Sequence, residues 1–305
     1  MGGDEMVVLV NESRVSQVGK YWGKTAMSVE TWPSTIDEAR ALLDELFERG
    51  AKWFAVAGGD DLLGQVITAY WRTPSLGAYP LELWPLDIEE PYVVAHLDQA
   101  ISPARAARMM EKKSLQWQRK KVATLKVTAS TEPAAWYGFS FGAGWIYRAL
   151  QARQRARGGV GNLVAAIGKL ATQTVGDDDN SPVALRLAVD HRPIDEPGGS
   201  LVATTLRQTY FGLGTEADTP MLWDQLSAAR LMRHAVTPEL LQATNRRARP
   251  FESVHLDSPP GWMLDGRLHE GTASAVIQVA PGPTVTLVHP RSRLASRVRR
   301  VLRFR

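Results

Sequence analysis

The sequence predicts an α/β protein in two parts: a Rossmann-like parallel sheet at the N-terminus, then a β-rich, sandwich-like domain. Three observations predict it. From Met6 to Tyr70, apolar runs of strand length alternate with an amphipathic helical stretch. At Val122 the hydrophobic period changes from helical to two. Beyond it, short apolar runs recur between Gly-, Pro- and Asp-rich turns as far as His289.

Met6 to Val10 is an apolar run closed by Asn11 and reads as the first buried strand of a parallel sheet. Thr35-Ile36-Asp37-Glu38 is a capping box, and Ala39, Leu42, Leu43, Leu46 and Phe47 form one apolar helical stripe that stops at Gly50. A second strand follows from Trp53 to Ala57, then Gly58-Gly59-Asp60-Asp61. Leu62, Leu63, Val66, Ile67 and Tyr70 return to helical spacing. A strand, a tight turn and a helix start bring free backbone N–H groups and the positive end of a helix dipole together. Such a turn suits phosphate, and carboxylates beside it suit a metal ion.

Leu81 to Leu86 is the next strand. Ser102-Pro103 opens a helix expected to run into the basic stretch Arg119-Lys120-Lys121. From Val122 the alternation places Ala123, Leu125, Val127 and Ala129 on one face. Further strands are expected at Val183–Val189, Leu201–Thr205, Ala275–Ala280 and Thr284–His289. The predicted domains are 1–121 and 122–290, followed by a basic tail, 291–305.

A chain of 305 residues, 44% hydrophobic and 22% charged, is long enough for two cores. It has no cysteine, which excludes disulfides, thiolate nucleophiles and zinc–thiolate sites and points to the cytoplasm. The first residues lack the basic and apolar regions of a signal peptide, and Met6 stands where a myristoylation signal has Ser or Thr. No apolar run is long enough to span a bilayer, so the expected membrane contact is peripheral. Net charge is +4, and Arg291, Arg293, Arg297, Arg299, Arg300, Arg303 and Arg305 crowd the C-terminus. With Leu294, Val298, Val301 and Leu302 on one helical face, this tail either docks on the first domain or lies on an anionic membrane surface. Nucleic acid is not an expected partner.

Gly58-Gly59-Asp60 after a strand, Asn11 closing an earlier strand and Leu264-Asp265-Gly266 near the end together resemble the diacylglycerol kinase and sphingosine kinase superfamily of lipid kinases. The likeness runs from about Val7 to Pro290. It implies an α/β nucleotide-binding domain, a β-rich lipid domain, and a site where the two meet. The implied reaction is Mg2+-dependent transfer of the ATP γ-phosphate to a hydroxyl of a membrane lipid such as diacylglycerol, a sphingoid base or ceramide. By the resemblance, Asn11, Gly58, Gly59 and Asp61 contact the nucleotide, Asp60 and Asp61 hold the metal, and Asp265 is the base, with Asp60 a second catalytic carboxylate. The sequence also departs from the family. Glu12 replaces a proline after Asn11, Asp61 and Leu62 replace Gly-Thr, Arg267 replaces a glutamate, and Pro85-Leu86-Asp87-Ile88-Glu89-Glu90 replaces a glycine-rich phosphate loop.

Two other readings stand beside it, the first implied by the departures from the resembled family and the second read from the residues. The stripped phosphate loop allows a protein that keeps the fold and binds lipid or nucleotide without turnover. Gly138-Phe139-Ser140-Phe141-Gly142 matches the nucleophile elbow of α/β-hydrolases, which would make Ser140 a nucleophile with Asp224 or Asp257 and His269 or His289. Asp265-Gly266 is also an ordinary hairpin turn. Gly176-Asp177-Asp178-Asp179-Asn180 reads as a solvated loop tip, and Arg246-Arg247-Ala248-Arg249 as surface charge.

Overall fold

The computed structural model describes residues 5–22, 28–86, 93, 97, 107–108, 116–155, 185–194, 199–206, 219–224, 248–272 and 274–291. The Asp87–Pro91 loop, Ser102-Pro103, Gly176–Asn180, Arg246-Arg247 and the tail beyond Arg291 lie outside them. The chain forms two compact units, 1–122 with 285–305, and 123–284.

In the first unit, β1 (Glu5–Val10), α1 (Val15–Trp22), β2 (Ser28–Thr31), α2 (Ile36–Glu48), β3 (Ala51–Ala57), α3 (Asp60–Trp71) and β4 (Glu82–Pro85) follow in order. β1 lies between β2 and β3, β4 continues beyond β3, and every pairing is parallel. The central strand β1 is apolar from Met6 onward because both its faces are covered: Val7, Val8, Leu9 and Val10 are all fully buried. One face receives α2 and α3, where Phe47 of α2 meets Phe54 of β3 at 5.1 Å and Tyr70 of α3 at 6.1 Å. The other gathers Met6, Val8, Val10, Ala55, Ala57 and Trp84 against Val18 of α1 and Ala107.

The N-cap half of the predicted capping box forms at α2, and a side-chain bond takes the place of its reciprocal half. The Thr35 hydroxyl oxygen accepts the Glu38 N–H, and the hydroxyl itself donates to the Glu38 carboxylate at 2.7 Å. The helix ends at Gly50, whose φ of +90° suits a residue without Cβ.

Arg119-Lys120-Lys121 is not the tail of a helix. These residues lie in β5 (Gln116–Ala129), whose period-two pattern starts before Val122. Trp117 packs edge-on against Trp53 at 5.1 Å and Trp84 at 5.0 Å, while Arg119 lies over Trp53 and pairs with both oxygens of Glu82. The two strands expected at Ala275–Ala280 and Thr284–His289 are likewise one, β16 (Val276–Arg291). Its last part belongs to the first unit, where Thr286 and Leu287 pair in parallel with Glu82 and Leu83 of β4. The second unit therefore ends at Thr284 and not at residue 290, because the chain returns as a further parallel strand.

The second unit contains β6 (Trp136–Gly138), β7 (Ser140–Gly144), α4 (Trp145–Arg155), β8 (Arg186–Val189), β9 (Arg192–Pro193), β10 (Ser200–Thr204), β11 (Met221–Trp223), β12 (Arg249–Pro250), β13 (Val254–Asp257), β14 (Gly261–Leu264) and β15 (Arg267–Glu270). One sheet runs β12-β11-β10-β7-β14-β15, all antiparallel. The other brings together the first part of β16, β13, β8 and β9, with β5 pairing β16 and β6. Leu125, Val127, Leu187, Val254 and Ile277 from this sheet meet Phe141, Leu201, Leu222 and Trp262 from the first in one dry core, a sandwich. α4 covers the outer face of the six-stranded sheet with Trp145, Ile146 and Leu150 against Val202, Trp223 and Met263. Among the described residues, no helix is long and apolar enough to cross a membrane.

Candidate functional site

In the first unit the chain leaves β1 toward β2 and leaves β3 toward β4, on opposite sides. The carboxyl ends of β1 and β3 therefore border the crevice where open parallel sheets bind ligands. Asn11 closes β1 and Gly58 closes β3, and the fold brings the two together. A Cβ built on Gly58 would stand 3.3 Å from Asn11 Nδ2 and 2.6 Å from Leu62 Cδ2, so only glycine lets this turn run so close to both side chains. Gly59 is the N-cap of α3 and has no side chain to satisfy the N–H groups of the first turn. Asp60 and Asp61 occupy that turn, where the helix dipole favours negative charge.

The two aspartates differ in environment. Asp60 is buried, and its Oδ1 accepts the backbone N–H of Val93 at 3.1 Å. Asp61 is partly exposed. The Leu86 N–H donates to Val56 O at 2.9 Å, so β4 reaches the same edge of the sheet as the Gly58 turn. Among the described residues no three His, Asp or Glu side chains form a metal cage. Asp60 and Asp61 are oxygen donors, the ligand type that Mg2+ takes alongside phosphates and water.

Asp265 belongs to the second unit. Leu264 pairs with Arg267, which leaves Asp265-Gly266 as a two-residue turn with φ of 50° and 86°. This is the hairpin geometry that Asp-Gly favours. Its carboxylate does more than close the turn. It is 1% exposed and accepts the Phe139 N–H at 3.0 Å and the Ser140 N–H at 2.8 Å, while the Asp265 N–H donates to Ser140 O at 2.8 Å. Two consecutive amides aimed at one carboxylate make a small anion nest.

This arrangement accounts for the Gly138-x-Ser140-x-Gly142 pattern without a hydrolase. A Cβ on Gly138 would lie 2.3 Å from Asp265 Oδ2, and one on Gly142 would lie 2.8 Å from Ile146 Cγ2. Ser140 opens β7 with the whole strand between it and α4, so the strand-turn-helix setting of a nucleophile elbow is missing. Its buried hydroxyl lies 3.0 Å from that of Thr204, which also donates to Phe139 O and accepts the Leu206 N–H. Of the other acids considered, Asp224 pairs with Arg249. Sequence reasoning missed Val93, Thr204 and the Phe139 and Ser140 amides. Backbone donors leave no signature, although the glycine at 138 was a visible trace of them.

No family model matches the sequence, and none of the curated proteins searched matches it. The fold does find similar chains among solved structures, three of them from Bacillus anthracis str. Sterne. A diacylglycerol kinase superposes with a TM-score of 0.57 at 12% identity, over 93% of this chain and 96% of its own. Two further structures carry the same assignment provisionally. One has a TM-score of 0.59 at 12% identity over 93% and 96% of the two chains, the other 0.60 at 11% over 95% and 99%. The chain thus has the fold of diacylglycerol kinases along nearly its entire length.

Proposed function

We propose that the protein is a lipid kinase that transfers the γ-phosphate of ATP to a hydroxyl of a membrane lipid. The observation that carries this reading is the fold shared with diacylglycerol kinases over nearly the full length of both chains. The crevice at the ends of β1 and β3 supports it. There the uncapped start of α3 and the Gly58-Gly59 backbone offer N–H groups to phosphate oxygens, and the Asn11 amide is a further donor. Asp61 and Asp60 are the side chains that would hold Mg2+, which supplies charge neutralisation on the phosphates when bound. As the acceptor oxygen bonds to phosphorus, ADP leaves and the hydroxyl proton needs a base. Asp265 is our candidate, its carboxylate held in one orientation by the Phe139 and Ser140 amides.

Purified protein with ATP, Mg2+ and a panel of diacylglycerol, sphingoid base and ceramide should form a phospholipid product. Asp265→Asn keeps an oxygen for the two amides and should lower turnover about a hundredfold, by the usual weight of general base catalysis. Undiminished turnover in Asp265→Asn or Asp60→Ala would remove these assignments.

A second reading rests on a specific observation: both candidate carboxylates are buried and engaged by backbone amides. A protein that binds lipid without catalysis would show calorimetric binding to lipid, no heat with Mg2+-ATP, and no product.

A further inference from the structure

β8 and β9 are joined by two residues, Asp190-His191, with Val189 paired to Arg192. Both have positive φ, 50° and 64°. Such a turn normally has glycine in its second position, where a side chain is strained. Here the surroundings hold it. The Asp190 carboxylate accepts the N–H groups of Glu252 at 2.8 Å and Ser253 at 2.9 Å, and the Asp190 N–H donates to Ser253 O at 2.9 Å. β13 begins at the next residue, so the turn carrying His191 is fixed to the strand carrying His255.

His255 lies on the outward side of β13, between buried Val254 and Leu256, and its register partners are Ala188 and Gln278. The His191 and His255 rings have centroids 5.8 Å apart and planes 36° apart. Two imidazoles on one ion, with metal–nitrogen distances of about 2.0–2.1 Å, have centroids roughly 5–6.4 Å apart. The Asp190 carboxylate, fixed by the Glu252 and Ser253 amides, is the chain neighbour of His191 and holds its turn in place.

We propose that His191 and His255 form a two-imidazole site for a divalent transition ion of the Zn2+, Ni2+ or Cu2+ type, with water at the remaining coordination positions. Imidazole suits these ions, whereas Mg2+ prefers oxygen, so the site is separate from the metal requirement of the proposed kinase. Among the described residues no third His, Asp or Glu joins the pair. The site is therefore open and exchangeable, unlike four-ligand structural zinc. An ion bound there clips the β8–β9 turn onto β13.

Calorimetric titration of the full chain with NiCl2 or ZnCl2 at pH 7.5 tests this. The wild type should bind, and His255→Ala should bind at least about tenfold more weakly, because one of two chelating groups is gone. His191→Gly relieves the strained φ and so keeps the fold, yet should lose binding to the same extent. The ion should raise the unfolding midpoint of the wild type and not that of His191→Gly. No heat with the wild type, or unchanged affinity in His191→Gly, overturns the proposal whether or not the protein phosphorylates lipid.

Discussion

At the scale of single residues, two aspartates in tight turns do structural work that their sequence context understates. Asp265 sits where any hairpin would put Asp-Gly, but its carboxylate ties the β14–β15 turn to the start of β7. Gly138→Ala places a methyl group 2.3 Å from Asp265 Oδ2 and 2.8 Å from Leu264 Cγ, with the carboxylate held in place by amides. We expect a loss of about 1–3 kcal/mol in urea unfolding, the usual penalty for overpacking. Asp190 is the second case. Backbone hydrogen bonds lower its pKa from 3.8, so the folded chain binds this proton less tightly than the unfolded chain does. The resulting stability is complete above 3.8 and fades as pH falls through the lower folded value. Asp190→Asn lacks this component. Urea midpoints of wild type and variant should therefore converge as pH is lowered from about 5 to below 3.

Among the elements, those with a strong local signal matched expectation. Thr35 and Glu38 announced the start of α2, and Thr35→Ala should destabilise by about 1 kcal/mol in thermal or urea unfolding, since it removes the cap that accepts the Glu38 N–H. The Gly58-Gly59 turn between an apolar strand and a helix was legible for the same reason: turn, cap and period agree. Elements decided by distant partners were not. Trp117 and Arg119 alternate as strand residues, but their basic neighbours look like a helix tail until Trp53, Trp84 and Glu82 are there to meet them. Pro281-Gly282-Pro283 has the composition of a turn, yet β16 runs through it. A Cβ on Gly282 would fall 2.5 Å from Thr124 Oγ1, and the Thr124 hydroxyl donates to Pro283 O at 2.6 Å. Close approach to β5, and not a reversal of direction, explains that glycine. For the candidate site, the residue types at Asn11, Gly58 and Asp265 were visible, while the amides that hold Asp60 and Asp265 were not.

For the molecule as a whole, the second unit is spliced into the first: the chain leaves through β5 and returns through β16. A fragment stopping at Val122 lacks Thr286 and Leu287, leaving one edge of β4 without its parallel partner. We expect that fragment to self-associate, because an unpaired strand edge recruits other chains. Size-exclusion chromatography against the full-length protein would show it, and a monomeric fragment with cooperative unfolding would contradict it. The same connectivity sets an order of events during synthesis. The ribosome delivers every strand of the sandwich before Val285 emerges, so the later-encoded unit can finish while the N-terminal sheet still waits for its closing strand. A nascent chain arrested with Thr284 just outside the ribosome and Val285 still inside would carry every strand of the back half and an unfinished front half, reversing the usual rule that what is made first folds first.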